Sequence, residues 1–205
     1  GLLTFVSAPD GGETRMAYDE NSNMTEIVDA AGSRQTTVYQ DGRVVEAVDP
    51  DGLKTVFAYD EEGRVIAITD SLGNTVRHEY DRAGRLVRLT DQKGNVSEFE
   101  YDGLDRLLLI RDPAGQERWI TYSPTGKVSA IQDFDGLTER WTFNEMDMIA
   151  TYTNKLGGVT TFTYDNMSNP VEITLPNGSV ITRSYNAMNL LEREEQTGMA
   201  PRLFE

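Results

Sequence analysis

A unit of 21 residues decides the fold, and its clearest copy reads LKTVFAYDEEGRVIAITDSLG from Leu53 to Gly73. Its first part, residues 53–59, is rich in aromatic and β-branched residues in alternation, which is typical of a strand. One face would carry Thr55, Phe57 and Tyr59, and the other Lys54, Val56 and Ala58. Acidic residues and a glycine then indicate a turn, residues 64–70 repeat the strand chemistry, and residues 71–73 form a second turn. The unit is therefore predicted to be a β-hairpin that leads into another.

An aromatic ring marks the same position in every copy of this unit. The rings are Tyr18, Tyr39, Tyr59, Tyr80, Tyr101, Tyr122, Phe143, Tyr164 and Tyr185. Seven of the eight steps between them are 21 residues, and the step from Tyr39 to Tyr59 is 20. A fixed period of this length indicates one supersecondary unit stacked many times. One residue missing from the turn Gln40-Asp41-Gly42 accounts for the short step, because loops tolerate deletions better than strands.

Turn-forming residues keep the same period as the rings. The second turn of each unit carries Gly11, Gly32, Gly52, Gly73, Gly94, Gly115, Gly136, Gly157, Gly178 or Gly198. The first turn carries Ser22, Gly42, Gly63, Gly84, Asp105, Gly126, Asp147, Ser168 or Asn189. These residue types tolerate left-handed backbone geometry. The second strand ends at Asp29, Asp49, Asp70, Asp91, Asp112, Asp133 or Asn154. Helix is nearly excluded, since a turn former interrupts the chain about every ten residues.

The array occupies the whole chain as one domain, residues 1–205, with about nine repeats. Leu3-Thr4-Phe5-Val6 fits a second strand whose partner is missing, and residues 199–205 are expected to be irregular. Residues 191–196 are predicted as strand by their alignment with earlier units. We infer a segment of a longer array. The predicted fold class is therefore all-β, with tandem hairpins in a long antiparallel sheet. An open sheet of this width is expected to coil or close.

The composition argues against several classes of function and site. The net charge is −15, which disfavours nucleic-acid binding without a basic stripe, and the basic residues are scattered. There is no cysteine, and thus no disulfide or thiolate site. No run of 18 apolar residues predicts a membrane span, and the first six residues do not resemble a signal peptide.

The segment Tyr80-Asp81-Arg82-Ala83-Gly84-Arg85-Leu86 resembles the YD-repeat, also called the rearrangement-hotspot (Rhs) repeat. The pattern recurs at residues 18–24, 59–65 and 164–169, and the resemblance covers the whole chain. Two units depart from it, at Tyr122-Ser123 and Phe143-Asn144, where the aspartate is replaced. Those departures indicate that the aspartate is not strictly required.

The resemblance implies a long sheet that spirals into a hollow β-shell. In bacterial Rhs proteins and Tc toxin components such a shell encloses a C-terminal toxin, and in teneurins a similar shell belongs to an adhesion ectodomain. It also implies a secreted or cell-surface location. Asp49-Pro50 and Asp112-Pro113 lie in ordinary second turns, so no self-cleavage motif is predicted.

No catalytic, cofactor or metal site is predicted from the residues. His78 is the only histidine and occupies a face-packing position. The aspartates recur in similar environments, whereas catalysis needs unlike ones. Residues 49–52 and 133–136 resemble pieces of calcium loops without the remaining ligands. Trp119 and Trp141 should face opposite sides of the sheet, so packing is the preferred interpretation for both.

The leading hypothesis is a structural segment of a toxin-enclosing shell, with the enclosed polypeptide as its partner and no enzymatic activity. The alternative is an extracellular surface that binds carbohydrate or protein. Self-association through exposed strand edges is also expected.

Overall fold

The computed structural model describes residues 2–9 and 11–204, and in them all regular structure is β-strand. The strands, in chain order, are β1 Phe5–Ser7, β2 Glu13–Tyr18, β3 Met24–Val28, β4 Arg34–Gln40, β5 Arg43–Val48, β6 Lys54–Tyr59, β7 Val65–Thr69, β8 Thr75–Tyr80, β9 Leu86–Thr90, β10 Val96–Tyr101, β11 Leu107–Arg111, β12 Glu117–Tyr122, β13 Val128–Gln132, β14 Thr138–Phe143, β15 Ile149–Thr153, β16 Val159–Tyr164, β17 Pro170–Thr174, β18 Val180–Tyr185, β19 Leu191–Gln196 and β20 Arg202–Leu203. The predicted hairpin repeats, and the all-β fold class, are confirmed.

The chain forms two compact units, residues 1–98 and 99–205, and the boundary falls within β10. In the first unit every strand pairs antiparallel with its sequence neighbours, from β1 with β2 to β9 with the start of β10. In the second unit the same meander runs from β11 to β20. All of these pairings are between consecutive strands, so each strand is held mainly by local partners.

The turns confirm the predicted backbone geometry. In the first turn of the type unit, the Asp60 amide donates to the Arg64 carbonyl and the Gly63 amide to the Asp60 carbonyl, both at 3.0 Å. The last loop residue, Gly63, has φ +83°, as expected for a three-residue hairpin loop. Every residue of the two predicted turn columns adopts positive φ, including the non-glycine members Ser22, Asp105, Asp147, Ser168 and Asn189.

The short step from Tyr39 to Tyr59 is a change of turn type. Asp41 and Gly42 have φ of 51° and 75°, and the flanking residues Gln40 and Arg43 are paired in the ladder. Two consecutive positive φ values are the mark of a two-residue type I′ hairpin. The deletion is confined to the loop, so the side chains of both strands stay on the same faces of the sheet as in the other repeats.

A bulge accompanies eight of the rings, and the sequence pattern did not predict it. Ala58 pairs with Ala67, but Tyr59 pairs with Val65, so that Ile66 is left over on the second strand. The same shift occurs opposite the rings of β2, β4, β8, β12, β14, β16 and β18. A bulge bends its strand and increases local twist. Each hairpin is therefore bent next to its ring.

Neither unit has a thick core. Among the described residues only three apolar side chains are buried, Leu109, Ala130 and Ile173, and no polar side chain is. In β6 and β16 exposure alternates along the strand, with the ring side half-buried and the other side exposed. Each unit is thus stabilised mostly by side chains that cover one another across neighbouring strands of the same sheet.

Short β-strands also form near both ends of the chain. Phe5–Ser7 pairs with β2, in agreement with the predicted second strand, and residues 191–196 form strand as expected. Within residues 199–205, which were expected to be irregular, Arg202–Leu203 pairs with β19. The prediction missed this pair because no ring or turn signal marks so short a strand.

The two terminal strands predict self-association. Phe5 and Val6 on β1 are 44% and 43% exposed, and Leu203 on β20 is 75% exposed. Apolar edge strands pair readily with other chains. Multi-angle light scattering should therefore show an average mass that rises with concentration, and a constant monomer mass over a wide range would contradict this.

Candidate functional site

Six of the ring hydroxyls link their repeat to the preceding one. Each donates to a backbone carbonyl 15 residues earlier, at 2.6–3.1 Å. The bonds run from Tyr18 to Leu3, Tyr59 to Val44, Tyr80 to Val65, Tyr122 to Leu107, Tyr164 to Ile149 and Tyr185 to Pro170. In four of these bonds the acceptor is the first residue of the preceding second strand. The ring position of the repeat therefore makes the same contact between hairpins in six copies.

The tyrosine hydroxyl supplies a hydrogen bond beyond the point where backbone pairing between the two strands ends. Between β7 and β8 the register runs through Thr69–Thr75, Ile68–Val76 and Ala67–Arg77, and ends there. The bulged start of β7 lies beyond this ladder, and there the Val65 carbonyl accepts a hydrogen bond from the Tyr80 hydroxyl. A backbone carbonyl without a partner is costly, so this bond stabilises the bulged end.

Phe143 is the one ring that has no hydroxyl to donate. We expect Phe143→Tyr to raise the free energy of unfolding by about 1 kcal/mol, because its hydroxyl would reach the Val128 carbonyl 15 residues earlier. Tyr122→Phe is the matched reverse change, since it deletes the bond to Leu107. Urea unfolding of both variants measures the effect, and equal midpoints for the pair would contradict it.

The aspartate that follows the ring organises the first turn. One oxygen of Asp81 accepts the backbone amides of Ala83 and Arg85 at 2.9 and 3.0 Å, and the other accepts the Arg85 side chain at 2.7 Å. The Arg85 side chain, followed by the backbone bonds, holds the pKa of Asp81 below its usual value. This carboxylate is a turn component with its acceptors occupied, which does not suit a proton-transfer role.

The basic residue at the end of the first turn reaches the next ring. Arg64 pairs with Asp60 at 2.6 Å, lies 4.9 Å from the centroid of the Tyr80 ring, and donates to the Asp81 carbonyl at 3.2 Å. Equivalent cation–ring contacts join Arg43 to Tyr59, Arg106 to Tyr122 and Lys127 to Phe143. Cations over aromatic faces contribute about 0.5–1 kcal/mol at exposed sites. The recurring pattern of tyrosine, aspartate, glycine and arginine is thus explained as a connector between hairpins.

Acid should destabilise these turns. Asparagine side chains are the main cause of lowered pKa at Asp19, Asp70, Asp91 and Asp165. A carboxylate with a lowered folded-state pKa stabilises the fold above its unfolded pKa, and the contribution is lost as pH falls through the folded value. The urea midpoint should therefore fall as pH drops below the ordinary aspartate pKa of 3.8.

Asp70→Asn provides the control for the acid effect, because Asn154 occupies the equivalent position and accepts the same two backbone amides. The variant keeps an acceptor that does not titrate in this range. Its stability should depend less steeply on acid pH than that of the parent. A parallel acid profile for the two proteins would contradict the assignment.

The two faces of the sheet differ in chemistry. The ring face is defined by the rings and by the side chains that pair two residues before them. Its cross-strand pairs include Met16–Ile27, Phe57–Ile68, His78–Leu89, Ile120–Ile131, Trp141–Tyr152 and Phe162–Ile173. Near the end of the chain the pair is polar, Arg183–Glu194 at 2.8 Å. The ring face is therefore mainly apolar in both units.

The opposite side, which we call the polar face, carries ion pairs. They are Glu26–Arg34, Glu46–Lys54, Arg88–Glu98 and Arg111–Glu117, at 2.5–3.7 Å. Partly exposed pairs of this kind contribute little to stability, but they keep a surface hydrated. Threonines fill much of the polar face in the second unit, where Thr142 and Thr151 bond through their hydroxyls at 2.7 Å. Apart from the buried Leu109 and Ala130, the polar face thus resembles a solvent-facing surface.

The residues considered from sequence are not brought together into a catalytic site. His78 lies on the ring face beside Tyr80, with ring centroids 6.4 Å apart. The carboxylate of Asp49 accepts two backbone amides of its own turn, and Asp133 pairs with Lys155. Across residues 2–9 and 11–204, no group of three acidic, histidine or cysteine side chains could hold a metal ion. No helix in the same residues could cross a membrane.

The tryptophans face opposite sides, as predicted, but differ in environment. Trp141 stacks on Tyr152 of the ring face, with centroids 5.5 Å apart, which confirms a packing role. Trp119 stands on the polar face and is 42% exposed. Trp119 lies beside the buried Leu109, its cross-strand partner, but its other neighbours on that face are too small or too polar to cover the rest of the indole. Position in the repeat revealed its face, but no sequence signal revealed its exposure.

Comparison with known proteins identifies the repeat. A family model described as RHS Repeat matches residues 40–75, 80–118 and 147–180, which is more than half of the chain. No curated protein matches the chain.

Solved structures show distant likenesses. The structure of TcdB2-TccC3-TEV matches with a TM-score of 0.47 and 11% identity, over 95% of this chain and 15% of its own. A Photorhabdus luminescens Tc holotoxin pore matches with a TM-score of 0.33 and 12% identity, over 90% and 17%. A porin-like protein from Bacteroides uniformis matches with a TM-score of 0.32 and 13% identity, over 94% and 92%. The chain spans only 15% of the length of the first of these, and likenesses of this size carry no functional argument.

Proposed function

Because the chain belongs to the RHS repeat family, we propose that it is a length of wall in a shell that encloses a polypeptide. The cargo in this proposal is the C-terminal toxin of a longer bacterial protein. The role is structural and involves no catalytic group or cofactor. The observation that carries the proposal is the contrast between the apolar ring face and the polar face of a sheet only one layer thick.

A single-layered sheet normally covers its apolar face with another layer. In antiparallel proteins one face packs on a core while the other meets water. Here each unit consists of a sheet alone, and the only buried apolar side chains among the described residues, Leu109, Ala130 and Ile173, all lie in the second unit. The half-buried side chains of the ring face still leave part of their apolar surface uncovered, and contiguous apolar surface of this kind can serve as an interaction site. The ring face is therefore the side we assign to the cargo.

The mechanism is steric enclosure. An unfolded chain exposes apolar side chains that can rest on the ring face, and it cannot refold while the wall limits its volume. The polar face, with its ion pairs, would meet solvent. The connectors between hairpins suit such a wall, because the Arg64–Asp60 pair and the Tyr80–Val65 bond fix each repeat to the next.

Adjacent threonines on β16 offer a matched test. Thr160 lies on the ring face, where it pairs with Tyr152, and Thr161 lies on the polar face, where it pairs with Thr151. The chain has no cysteine, so Thr160→Cys and Thr161→Cys each give one labelling site. Each variant would carry a photoactivated crosslinker and be mixed with reduced, carboxymethylated α-lactalbumin, a permanently unfolded polypeptide.

The expected result is crosslinking from position 160 at least fivefold above that from position 161, and only with the unfolded probe. Native α-lactalbumin is the control for non-specific capture. Equal crosslinking from both faces, or equal capture of the native probe, would overturn the assignment of the ring face to cargo.

A secreted or cell-surface location is part of the same proposal, by analogy with the family. The second candidate is a surface that binds carbohydrate or protein partners. One observation favours it, the exposed indole of Trp119 on the polar face. Both functions can coexist, because they use opposite faces of the sheet.

A further inference from the structure

Exposed methionines stand in a row along one edge of the second unit. In a meander of hairpins alternate turns lie at opposite edges, so all first turns share one edge. The tip of each first turn lies three residues after the ring, and in the last three repeats it is Met146, Met167 or Met188. These side chains, which we call the tip row, are 60%, 66% and 76% exposed. In the first unit the same position holds polar or small residues, Asn21, Glu62 and Ala83.

The three turns of the tip row share one geometry. In each, a side-chain oxygen of the residue after the ring accepts two backbone amides at 2.9–3.0 Å, and one of the two belongs to the methionine. The acceptors are Asn144, Asp165 and Asn186. The residue after each methionine has a φ of 61–69°. The methionines therefore leave the backbone from equivalent positions.

Bonds between neighbouring turns hold the edge together. Thr125 Oγ1 donates to Asp147 Oδ1 at 2.8 Å, and Lys127 Nζ lies 3.2 Å from the same carboxylate. Further along, Asn169 Nδ2 donates to Asn189 Oδ1 at 2.5 Å. Consecutive tips are two strands apart, which corresponds to about 9.6 Å. The tip row is thus a preorganised series of apolar side chains, and preorganisation lowers the entropic cost of binding.

The charge around the tip row is negative. Its three turns, residues 143–149, 164–170 and 185–191, contain no lysine or arginine but three acidic residues, Glu145, Asp147 and Asp165. The bond from Thr125 lowers the pKa of Asp147, and the bond from Asn169 lowers that of Asp165. Both carboxylates are therefore charged at neutral pH. Lys127, from the preceding turn, pairs with Asp147.

We propose that the tip row docks a basic amphipathic helix of a partner protein. Residues seven apart on one face of an α-helix are separated by about 10.5 Å, close to the spacing of the tips. A helix with an apolar residue in every heptad would therefore place one such residue on each methionine. Methionine suits this role because its flexible, polarisable side chain adapts to differently shaped apolar partners.

Charge complementarity selects the sign of the partner. Lysine or arginine beside the apolar stripe of the helix would face Glu145, Asp147 and Asp165, which favours encounter and suppresses acidic partners. The same carboxylates disfavour a second copy of this chain, because two tip rows would bring like charges together. The tip row lies at the edge of the sheet, away from the face assigned to cargo, so this inference does not depend on the wall function.

A model peptide of leucine and lysine, with its leucines in a helical heptad pattern, is the probe. One control peptide replaces the lysines with glutamate, and another keeps the composition but alternates the two residues as in a strand. By calorimetry we expect saturable binding of the basic heptad peptide, at least tenfold tighter than that of either control. The described residues contain no helix. A helical circular dichroism signal that appears on mixing would therefore come from the peptide.

Two sets of variants connect the binding to the tip row. Met146→Ser, Met167→Ser and Met188→Ser combined should weaken binding of the basic heptad peptide at least tenfold. The matched control combines Leu72→Ser with Leu156→Ser, because these leucines are tips of second turns and are 85% and 91% exposed. The control should bind as the parent does, and equal urea midpoints would show that both variants keep the fold.

Three outcomes would overturn the proposal. They are no binding of the basic heptad peptide, equal binding of a control peptide, and equal weakening by the two sets of variants. Light scattering of the methionine variant tests the competing occupant. Loss of self-association in that variant, without peptide binding by the parent, would assign the tip row to a second copy of the chain.

Discussion

Replacing Leu109 with alanine should lower the free energy of unfolding by about 2–4 kcal/mol. Leu109 is 2% exposed, the most covered large side chain among the described residues. Its removal deletes buried methyl groups and leaves a cavity beside Trp119 that a thin sheet can only partly close. The loss is large for a structure with three buried apolar side chains.

Leu104→Ala is the matched control, because Leu104 belongs to the same unit and is 73% exposed. It should change stability by less than about 0.5 kcal/mol. Urea unfolding followed by far-ultraviolet circular dichroism gives the overall effect, and tryptophan fluorescence reports on the region near Leu109. Similar midpoints for the two variants would show that Leu109 is not part of a stabilising cluster.

Gly73→Val should destabilise the chain by more than about 1 kcal/mol, because a β-branched residue cannot adopt left-handed geometry without strain. Gly73 has φ +85°, and an added Cβ would meet nothing within 4 Å. The cost is therefore one of backbone strain, with no contribution from a clash. This is the second large effect that the structure predicts.

Gly103→Val separates strain from loss of glycine flexibility. Gly103 also lies in a turn with open space around its Cβ, but its φ is outside the left-handed region. The melting temperature of the Gly103 variant should stay close to that of the parent, whereas that of the Gly73 variant falls. An unchanged melting temperature for Gly73→Val would show that the turn accepts another conformation.

Much of the fold follows from the sequence because it depends on local chemistry. Turn formers spaced about ten residues apart fix the hairpins, and the residues at Gly63 and Asp105 adopt positive φ as their types suggest. The two-residue turn at Asp41-Gly42 follows from the 20-residue step. Each of these features depends on neighbouring residues in the chain, which a single sequence displays directly.

The contacts between repeats were not predicted, because they depend on cross-strand register. The bulge at Ile66 and the bond from Tyr80 to Val65 require knowing where the ladder of β7 and β8 ends. A signal for part of this was present, since basic residues recur five positions after the rings at Arg64, Arg85, Arg106 and Lys127, and four positions after Tyr39 at Arg43. The exposure of Trp119 had no such signal, because it reflects the size of its neighbours in space.

The bond from Tyr80 to Val65 also determines where the array can be divided. Arg64 and Val65 open a second strand, and both are joined to the ring that closes the following strand. The self-contained module therefore runs from Arg64 to Tyr80, half a repeat out of phase with the motif that begins at tyrosine. A chain shortened to end at Tyr80 keeps this module whole. A chain that ends at Asp70 leaves both the Arg64 side chain and the Val65 carbonyl without the Tyr80 ring. Fraying at a chain end, and exchange of segments between arrays, should therefore occur at the boundaries of the Arg64–Tyr80 module.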